Sequence, residues 1–120
     1  MEYLSQISVF LENKPGQLCK ITDLLAEAGI NLKAINIAET IDYGVLRLIA
    51  DDSDKAKKVL DDNGYLNRVD KVLSLEIADE VGSLGKSLKK LAEENVDIEY
   101  MYSVFGGGGG KAHLLIKAKK

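Results

Sequence analysis

An α+β fold built from two related units is predicted by three features of this 120-residue sequence. A phrase near the start, ENKPGQLCKITDLLAEAGINL, returns in altered form near the end as ADEVGSLGKSLKKLAEENVDI. Each copy follows alternating apolar residues, which have the period of a β-strand, and contains apolar residues at helical spacing. Strand-like runs then follow each helix. The prediction is a βαββαβ unit over residues 1–70 and a second unit, shortened to βαββ, over residues 71–120.

The first strand and helix of the first unit are indicated by their periodicity. Ile7, Val9 and Leu11 alternate with other residues and predict a strand. Pro15 suits the first turn of the next helix, where its missing N–H is not needed. Gly29 is expected to end this helix in the left-handed conformation that glycine adopts at low cost. The apolar stripe of the helix consists of Leu18, Ile21, Leu25 and Ala28.

The remaining elements of the first unit follow the same logic. A turn at Asp42-Tyr43-Gly44 separates two predicted strands, and residues 66–69 supply a short fourth strand. Asp52 or Ser53 is expected to cap the second helix, which ends at Gly64. The apolar positions are Ile30, Leu32, Ile35 and Ile37 in the second strand, residues 45–50 in the third, and Ala56, Val59 and Leu60 in the helix. This order places both helices on one face of a four-stranded antiparallel sheet, as in ferredoxin-like folds.

The second unit is predicted by a shift of about 66 residues, which places Gly16 on Gly82. Continued without gaps, the shift places Gly44 on Gly110, Leu48 on Leu114 and Arg47 on His113. A βαββ unit lacks a second helix, so apolar surface is expected to be exposed unless another element covers it. The residues concerned are Val104, Leu114 and Ile116. Unpaired edge strands also favour association, and a homodimer is predicted.

Composition excludes several classes of function. The chain is 46% hydrophobic and 29% charged, with a formal net charge of −3, which argues against nucleic acid or an anionic membrane as the main partner. No apolar run approaches the roughly 18 residues of a membrane span, and no signal-peptide pattern opens the chain. Cys19 is the single cysteine and cannot form an internal disulfide. A cytoplasmic protein is predicted, with Lys117, Lys119 and Lys120 as a solubilising tail.

The glycine before each repeated helix marks a candidate binding loop. A helix N-terminus offers unpaired N–H groups and partial positive charge, which together can hold a carboxylate or phosphate. A glycine at this position lets a ligand approach the backbone closely. The alternative is that glycine is needed only for the turn itself, and the sequence alone leaves both interpretations open.

The loop NKPGQL at residues 13–18 and the segment LLAEAGINL at residues 24–32 resemble the signature of the ACT domain. The resemblance covers the first unit and, more weakly, the second. It implies a ferredoxin-like regulatory module that binds small molecules, chiefly amino acids, at an interface between two domains. The ligand is then expected against the loop after the first strand and the start of the second strand. The residues implied are Asn13, Pro15, Gly16, Gln17, Leu18 and Asn31 in the first unit, and Asp79, Gly82, Ser83, Leu84 and Asp97 in the second.

The second loop departs from this pattern. Val81 stands in place of the proline, and Asp79 and Glu80 bring negative charge where a ligand carboxylate needs the opposite. Asp97 replaces Asn31 and suits an ammonium group. The two loops are therefore not expected to bind one ligand equally well. Replacing Gly16 by valine is expected to block a ligand without disturbing the fold, provided that Gly16 has a negative φ.

Other motifs do not assemble an active site. The run Gly106–Gly110 leads into a strand rather than a helix, so it predicts a hairpin and not a phosphate loop. His113 has no nucleophile or second metal ligand arranged around it. Tyr100 and Tyr102 lie beside Glu99 in an acidic chain, which is unlike an RNA-binding sheet. No catalytic residue, metal or cofactor is predicted.

Three classes of function therefore remain. The first choice is a regulatory module that binds an amino acid, and the main alternative is a structural or dimerising module without a ligand. A small hydrolase of the acylphosphatase kind has the same fold but needs an arginine in the first loop, where this chain has Lys14 and Gln17.

Overall fold

The computed structural model describes residues 2–12, 14–39, 43–104 and 109–119. Within these residues the chain forms six strands and three helices. In chain order they are β1 (Glu2–Glu12), α1 (Gln17–Glu27), β2 (Leu32–Glu39), β3 (Tyr43–Ala50), α2 (Ser53–Asp62), β4 (Asn67–Ala78), α3 (Ser83–Glu93), β5 (Ile98–Val104) and β6 (Lys111–Ala118). Of the residues singled out from the sequence, Asn13, Asp42, Gly106–Gly108 and Lys120 lie outside the described residues.

The chain divides into two compact units. The first unit consists of Ser5–Asp70, and the second consists of Lys71–Lys120 together with Met1–Leu4. The strand order is β2-β3-β1 in the first unit and β4-β6-β5 in the second. All of these neighbouring strands are antiparallel. The α+β, ferredoxin-like fold is confirmed, and the second unit is shortened to βαββ.

The core of the first unit lies between its sheet and both of its helices. Alternate residues of β1 and β3 point towards the helices, because successive side chains of a strand lie on opposite faces. Ile21 and Leu25 of α1 and Ala56 and Leu60 of α2 meet them there. The buried strand residues are Ile7, Val9, Leu11, Leu46 and Leu48. The helical stripes predicted from the sequence are therefore the faces that pack.

The second unit has a core of its own between its strands and α3. Leu114 and Ile116 of β6 are fully buried, and α3 contributes the buried Leu91 and the partly buried Leu84 and Leu88. The exposure expected unless another element covers these residues is not found at Leu114 and Ile116, which pack in one cluster with the three leucines of α3. Val104 at the end of β5 is exposed, as expected.

The helix ends repeat between the units almost bond for bond. After α1, Gly29 has φ +76° and Ile30 N–H donates to Leu25 O at 3.0 Å. After α3, Asn95 has φ +60° and Val96 N–H donates to Leu91 O, also at 3.0 Å. Both ends have the closing turn that satisfies the last carbonyl groups of a helix. Asparagine thus takes the left-handed position that glycine holds in the first unit.

Asp52, Gly64 and Pro15 were each predicted to lie at the start or end of a helix. The side chain of Asp52 accepts a hydrogen bond from Lys55 N–H at 3.1 Å, so the predicted cap of α2 is confirmed. Gly64 follows α2 with φ +78°, also as predicted. Pro15 lies in the turn before α1 and not in its first helical turn, since α1 begins at Gln17.

The ungapped repeat fails at the last strand. Ile7 pairs with Leu48, but its counterpart Leu73 pairs with Ile116, which is two residues beyond the expected Leu114. The segment between the paired residues of β5 and β6 is two residues longer than the one between β2 and β3. Each residue of β6 that pairs with β4 therefore comes two positions later than the repeat predicts. His113 consequently corresponds to Val45, because it pairs with Glu76 as Val45 pairs with Phe10. The predicted match of His113 with Arg47 is wrong.

Candidate functional site

The turn before α1 needs glycine for its backbone. Gly16 has φ +84°, and its counterpart Gly82 has φ +85°. Gln17 N–H donates to Lys14 O at 3.4 Å, and the equivalent bond runs from Ser83 N–H to Glu80 O at 3.2 Å. An added Cβ would meet no atom within 4 Å at either glycine, so the constraint is conformational. From the sequence, Gly16→Val was expected to leave the fold undisturbed only if Gly16 had a negative φ. Because the φ of Gly16 is positive, the valine is expected to strain the turn.

A cavity lies where this turn meets the sheet of the first unit. Its volume is about 120 Å³, and it opens at the end of β1, beside the start of α1. Two predicted site residues, Gln17 and Leu18, line it. The rest of the lining comes from Leu11, Glu12, Lys14, Ile37, Gly44 and Val45. The cavity thus combines a helix N-terminus with aliphatic side chains from three strands.

An ion pair forms the charged part of the cavity lining. Lys14 Nζ lies 2.8 Å from Glu12 Oε2, and both side chains are mostly exposed. The hydrogen bond and charge of Lys14 lower the pKa of Glu12, and Glu12 in turn raises the pKa of Lys14. Both groups are therefore ionised at neutral pH. An exposed pair of this kind contributes little to stability, so a ligand can compete for either partner at small cost.

A wider and more open hollow adjoins the cavity. It measures about 380 Å³ and shares Leu11, Glu12, Lys14 and Gln17 with the cavity. It extends from there along α1 to Lys20 and to the loop Asn63–Tyr65. Lys14 therefore borders both spaces, whereas Ile37, Gly44 and Val45 line only the smaller one.

Asn31 lies at the other end of the first unit. Asn31 N–H donates to Asp51 Oδ1 at 3.1 Å, and Asp51 N–H donates back to Asn31 O, just beyond the end of β3. Glu12, beside the cavity, pairs instead with the first residue of β3, Tyr43. An α-helix of 11 residues such as α1 spans about 16 Å. The first unit therefore does not bring Gly16 and Asn31 to one small ligand.

The candidate residues of the second unit are also dispersed. Asp79 N–H donates to Gly110 O at 2.8 Å, next to the turn at Gly82 and Ser83. Leu84 packs against the core of this unit. Asp97 already faces a cation, since Lys119 Nζ lies 3.9 Å from its Oδ2. Val81, at the position that proline holds in the first loop, is fully exposed and is covered by none of the described residues.

Sequence reasoning missed the sheet side of the cavity. Glu12, Ile37 and Val45 were not selected, because the resemblance drew attention to the loop and the start of the second strand. The available signal was strand pairing: an antiparallel third strand beginning near Gly44 must return beside the end of the first strand. Leu11 does pair with Gly44.

The described residues contain neither a metal-ligand cluster nor a membrane-spanning helix. No group of three or more histidine, cysteine, aspartate or glutamate residues in that part of the chain is placed to hold a metal ion. None of the described helices is long and apolar enough to cross a membrane.

Comparison with known proteins identifies relatives of the whole chain. The sequence model of the family described as an ACT domain pair matches residues 2–119. The crystal structure of a protein from Bacteroides thetaiotaomicron has 41% sequence identity and a TM-score of 0.91, covering 98% of this chain and 81% of that one. No match was found among curated protein sequences.

Two more distant structures share the fold. The ligand-free regulatory subunit of aspartate kinase from Thermus thermophilus has a TM-score of 0.73 at 17% identity and covers 97% of this chain and 87% of its own. The corresponding subunit from Thermus flavus has a TM-score of 0.67, also at 17% identity, and covers 97% and 83%. At this level of identity the similarity concerns the fold alone.

Proposed function

This chain belongs to the ACT domain pair family, and on that premise we propose that it is a regulatory module that binds an amino acid. We place one ligand in the first unit, at the cavity between the start of α1 and the end of β1. The observation that carries the proposal is the Glu12–Lys14 ion pair beside this cavity, at 2.8 Å. An amino acid carries both signs of charge on adjacent groups, and this pair offers a partner to each.

The ligand carboxylate is proposed to lie between Lys14 and the N-terminus of α1. Lys14 provides the full positive charge, and the helix dipole adds a partial one. Gly16, Gln17 and Leu18 supply the backbone of this corner, with Pro15 in the preceding turn. Asn13, outside the described residues, stays a candidate through the resemblance alone. Glu12 faces the ammonium group. Gln17 N–H already closes the turn onto Lys14 O, so the Lys14 side chain is the main partner of the carboxylate.

A homodimer belongs to the same proposal. Ile35 and Ile37 lie on β2, at the end of the strand order of the first unit, and are 49% and 47% exposed. Apolar side chains on an edge strand favour pairing with a second copy. Because Asn31 is remote from Gly16, a ligand that contacts both must lie between two chains. Asn31→Ala is therefore expected to weaken binding only at concentrations where the chain is dimeric.

We assign residues 1–70 and 71–120 to the two ACT-like units and give the second unit, with Asp79, Gly82, Ser83, Leu84 and Asp97, the weaker site. The module is proposed to bind and not to catalyse. We place it in the cytoplasm, where the exposed thiol of Cys19 stays reduced.

A thermal-shift panel of the twenty amino acids tests the binding proposal. A ligand at a hundredfold excess over its Kd adds roughly 2.7 kcal/mol of stability, which raises the Tm of a chain of this size by several degrees. We expect a subset of the amino acids to produce such a shift. If none does at millimolar concentration, the ligand-free structural module is the better account.

Gly44→Val locates the site in the same assay. Gly44 lines the cavity, and an added Cβ there would meet only Ala38 O, at an ordinary 3.7 Å. The valine is therefore expected to fill the cavity and abolish the shift while the unliganded Tm stays close to wild type. Gly85→Ala, within α3 of the second unit, is the matched control and should keep the full response. An undiminished response of Gly44→Val would place the ligand elsewhere.

Sedimentation measures the oligomeric state. At micromolar concentration we expect a species of twice the 13.1 kDa chain mass, and we expect Ile35→Lys to shift it to the monomer. A wild-type chain that sediments as a monomer would contradict the dimer.

A further inference from the structure

The cavity of the first unit has an aliphatic lining with one charged corner. Leu11, Leu18, Ile37 and Val45 line it, and none of the described residues that line it is aromatic. We propose that this cavity selects amino acids with a branched aliphatic side chain, namely leucine, isoleucine or valine. The inference rests on the proposed function and specifies its ligand class.

The lining favours an apolar side chain on grounds of solvation. Burying hydrocarbon against Leu18, Ile37 and Val45 is favourable in proportion to the area removed from water. A polar or charged side chain would lose its hydration there and gain no partner from these three residues. Leu18 and Ile37 are 38% and 47% exposed in the unliganded chain. A ligand side chain can therefore cover hydrocarbon that water now touches.

The volume indicates the size of side chain that the cavity can cover. An engineered apolar cavity of about 150 Å³ binds benzene. The present cavity, at about 120 Å³, matches a branched group of three or four carbons, whereas an indole ring would extend beyond it into the adjoining hollow or into solvent. A methyl group or a hydrogen atom would leave most of it empty, and with it most of the available apolar contact.

The charged corner, formed by Glu12 and Lys14, is expected to favour an amino acid over a fatty acid. Lys14 alone would accept any carboxylate of suitable shape, including a short branched fatty acid. Glu12, whose Oε2 is 2.8 Å from Lys14 Nζ, gives the corner a negative group as well. A ligand with a carboxylate but no ammonium would take Lys14 away from Glu12 and leave Glu12 without a cation.

The second unit lacks the ion pair and part of the aliphatic lining at the corresponding positions, although Ile77 and Leu84 stand where the first unit has Leu11 and Leu18. By the repeat, Ala78 replaces Glu12 and Glu80 replaces Lys14. By strand pairing, Ser103 stands where the first unit has Ile37, and His113 where it has Val45. Both members of the ion pair and two of the four aliphatic lining residues are therefore replaced. The selectivity is therefore assigned to the first unit alone.

Calorimetry on the full chain measures the selectivity. The ligands are L-leucine, L-isoleucine and L-valine against L-aspartate, L-lysine and L-tryptophan, with isovalerate and isobutylamine as analogues that each lack one charged group. We expect one of the three branched amino acids to bind most tightly. Each analogue should bind at least about tenfold more weakly than it, since a charge-assisted contact is lost.

Substitutions in the cavity test whether the lining causes the selectivity. Ile37→Ser introduces the residue type of its counterpart Ser103. It should weaken binding of the preferred ligand about tenfold because apolar contact is removed. Leu66→Ser is its control, since Leu66 is 71% exposed and does not line the cavity. Lys14→Gln should also weaken binding, whereas Lys20→Gln should not, since Lys20 lines the wider hollow but not the cavity. Each control should leave Kd within about twofold of wild type.

The outcomes separate the two proposals. If an amino acid of another class binds most tightly, or if Ile37→Ser binds like wild type, the aliphatic selectivity is wrong while amino-acid binding stands. Tighter binding of isovalerate than of any amino acid would identify a fatty-acid site and overturn both. The absence of binding by every amino acid also overturns both.

Discussion

Gly16 and Gly82 hold left-handed backbone conformations that other residues adopt only at a cost. We expect Gly16→Ala and Gly82→Ala each to lower the free energy of unfolding by about 1–2 kcal/mol, the cost of this conformation for an L-residue. Gly85→Ala, inside α3 and without a positive φ, should instead raise it by about 0.5 kcal/mol. Urea denaturation of the three variants measures these changes. Wild-type stability of Gly16→Ala would contradict the assigned backbone geometry.

Asp61 tests a local electrostatic effect. A hydrogen bond from Asn67 Nδ2 at 2.7 Å and, to a lesser extent, Lys57 hold the pKa of Asp61 below its usual value, against an opposing effect of burial. A carboxyl with a lowered folded pKa stabilises the protein above its unfolded pKa of about 3.9, and this contribution is lost as pH falls through the folded pKa.

The measurement is an NMR titration of the Asp61 carboxyl. We expect Asn67→Ala to raise its pKa towards the unfolded value, and Lys57→Gln to raise it by less. A larger rise with Lys57→Gln than with Asn67→Ala would show that charge, and not the amide hydrogen bond, is the dominant cause.

The backbone conformation of a single residue was predictable where the residue type alone determines it. Gly29 and Gly64 were expected after helices and have φ values of +76° and +78°. Asn95 was not expected at φ +60°, because asparagine tolerates this conformation without requiring it. The positive φ of Gly16 was also not predicted, since glycine before a helix is compatible with either sign of φ.

At the scale of elements, the start of α2 depends on one side chain. Asp52 accepts a hydrogen bond from Lys55 N–H at 3.1 Å and so satisfies one of the first N–H groups of the helix. Asp52→Ala is expected to cost about 1 kcal/mol of stability. Asp54→Ala in the same turn removes only a favourable interaction with the helix dipole and should cost a few tenths of a kcal/mol.

Thermal denaturation at pH 7 compares the two variants. Equal losses would mean that negative charge near the helix, and not the cap hydrogen bond of Asp52, stabilises α2.

The presence of helices and strands was more predictable from the sequence than the register in which the strands pair. The alternation of Ile7, Val9 and Leu11 and the apolar stripe of α1 identified a strand and a helix that both exist. The pairing of β6 was not predictable from the repeat. The glycine-rich sequence before β6 contains two extra residues, and these change the register without changing the alternation of apolar residues in the strand. A shift of two residues keeps every side chain on its face of the sheet, so hydrophobic patterning alone cannot detect it.

For the whole molecule, repetition predicted the architecture but only part of the candidate site. The two units share their turns and helix ends, so the duplicated phrase was a reliable guide to the fold. The cavity is lined by residues distant in sequence, such as Glu12, Ile37 and Val45. A motif confined to one loop carries no information about where such residues meet. The second unit has different residues at these three positions, and there we propose that the two units differ in function.

A titration of ¹⁵N-labelled protein with the best-binding branched amino acid, followed by amide chemical shifts, tests the proposed site most directly. We predict that the largest shifts occur at Leu11, Lys14, Gly16–Leu18, Ile37 and Val45, and that they saturate at one ligand per chain. The counterparts Ser83, Leu84 and Ser103 should shift little. Equal shifts in both units, or shifts confined to the second unit, would contradict an amino-acid site in the first.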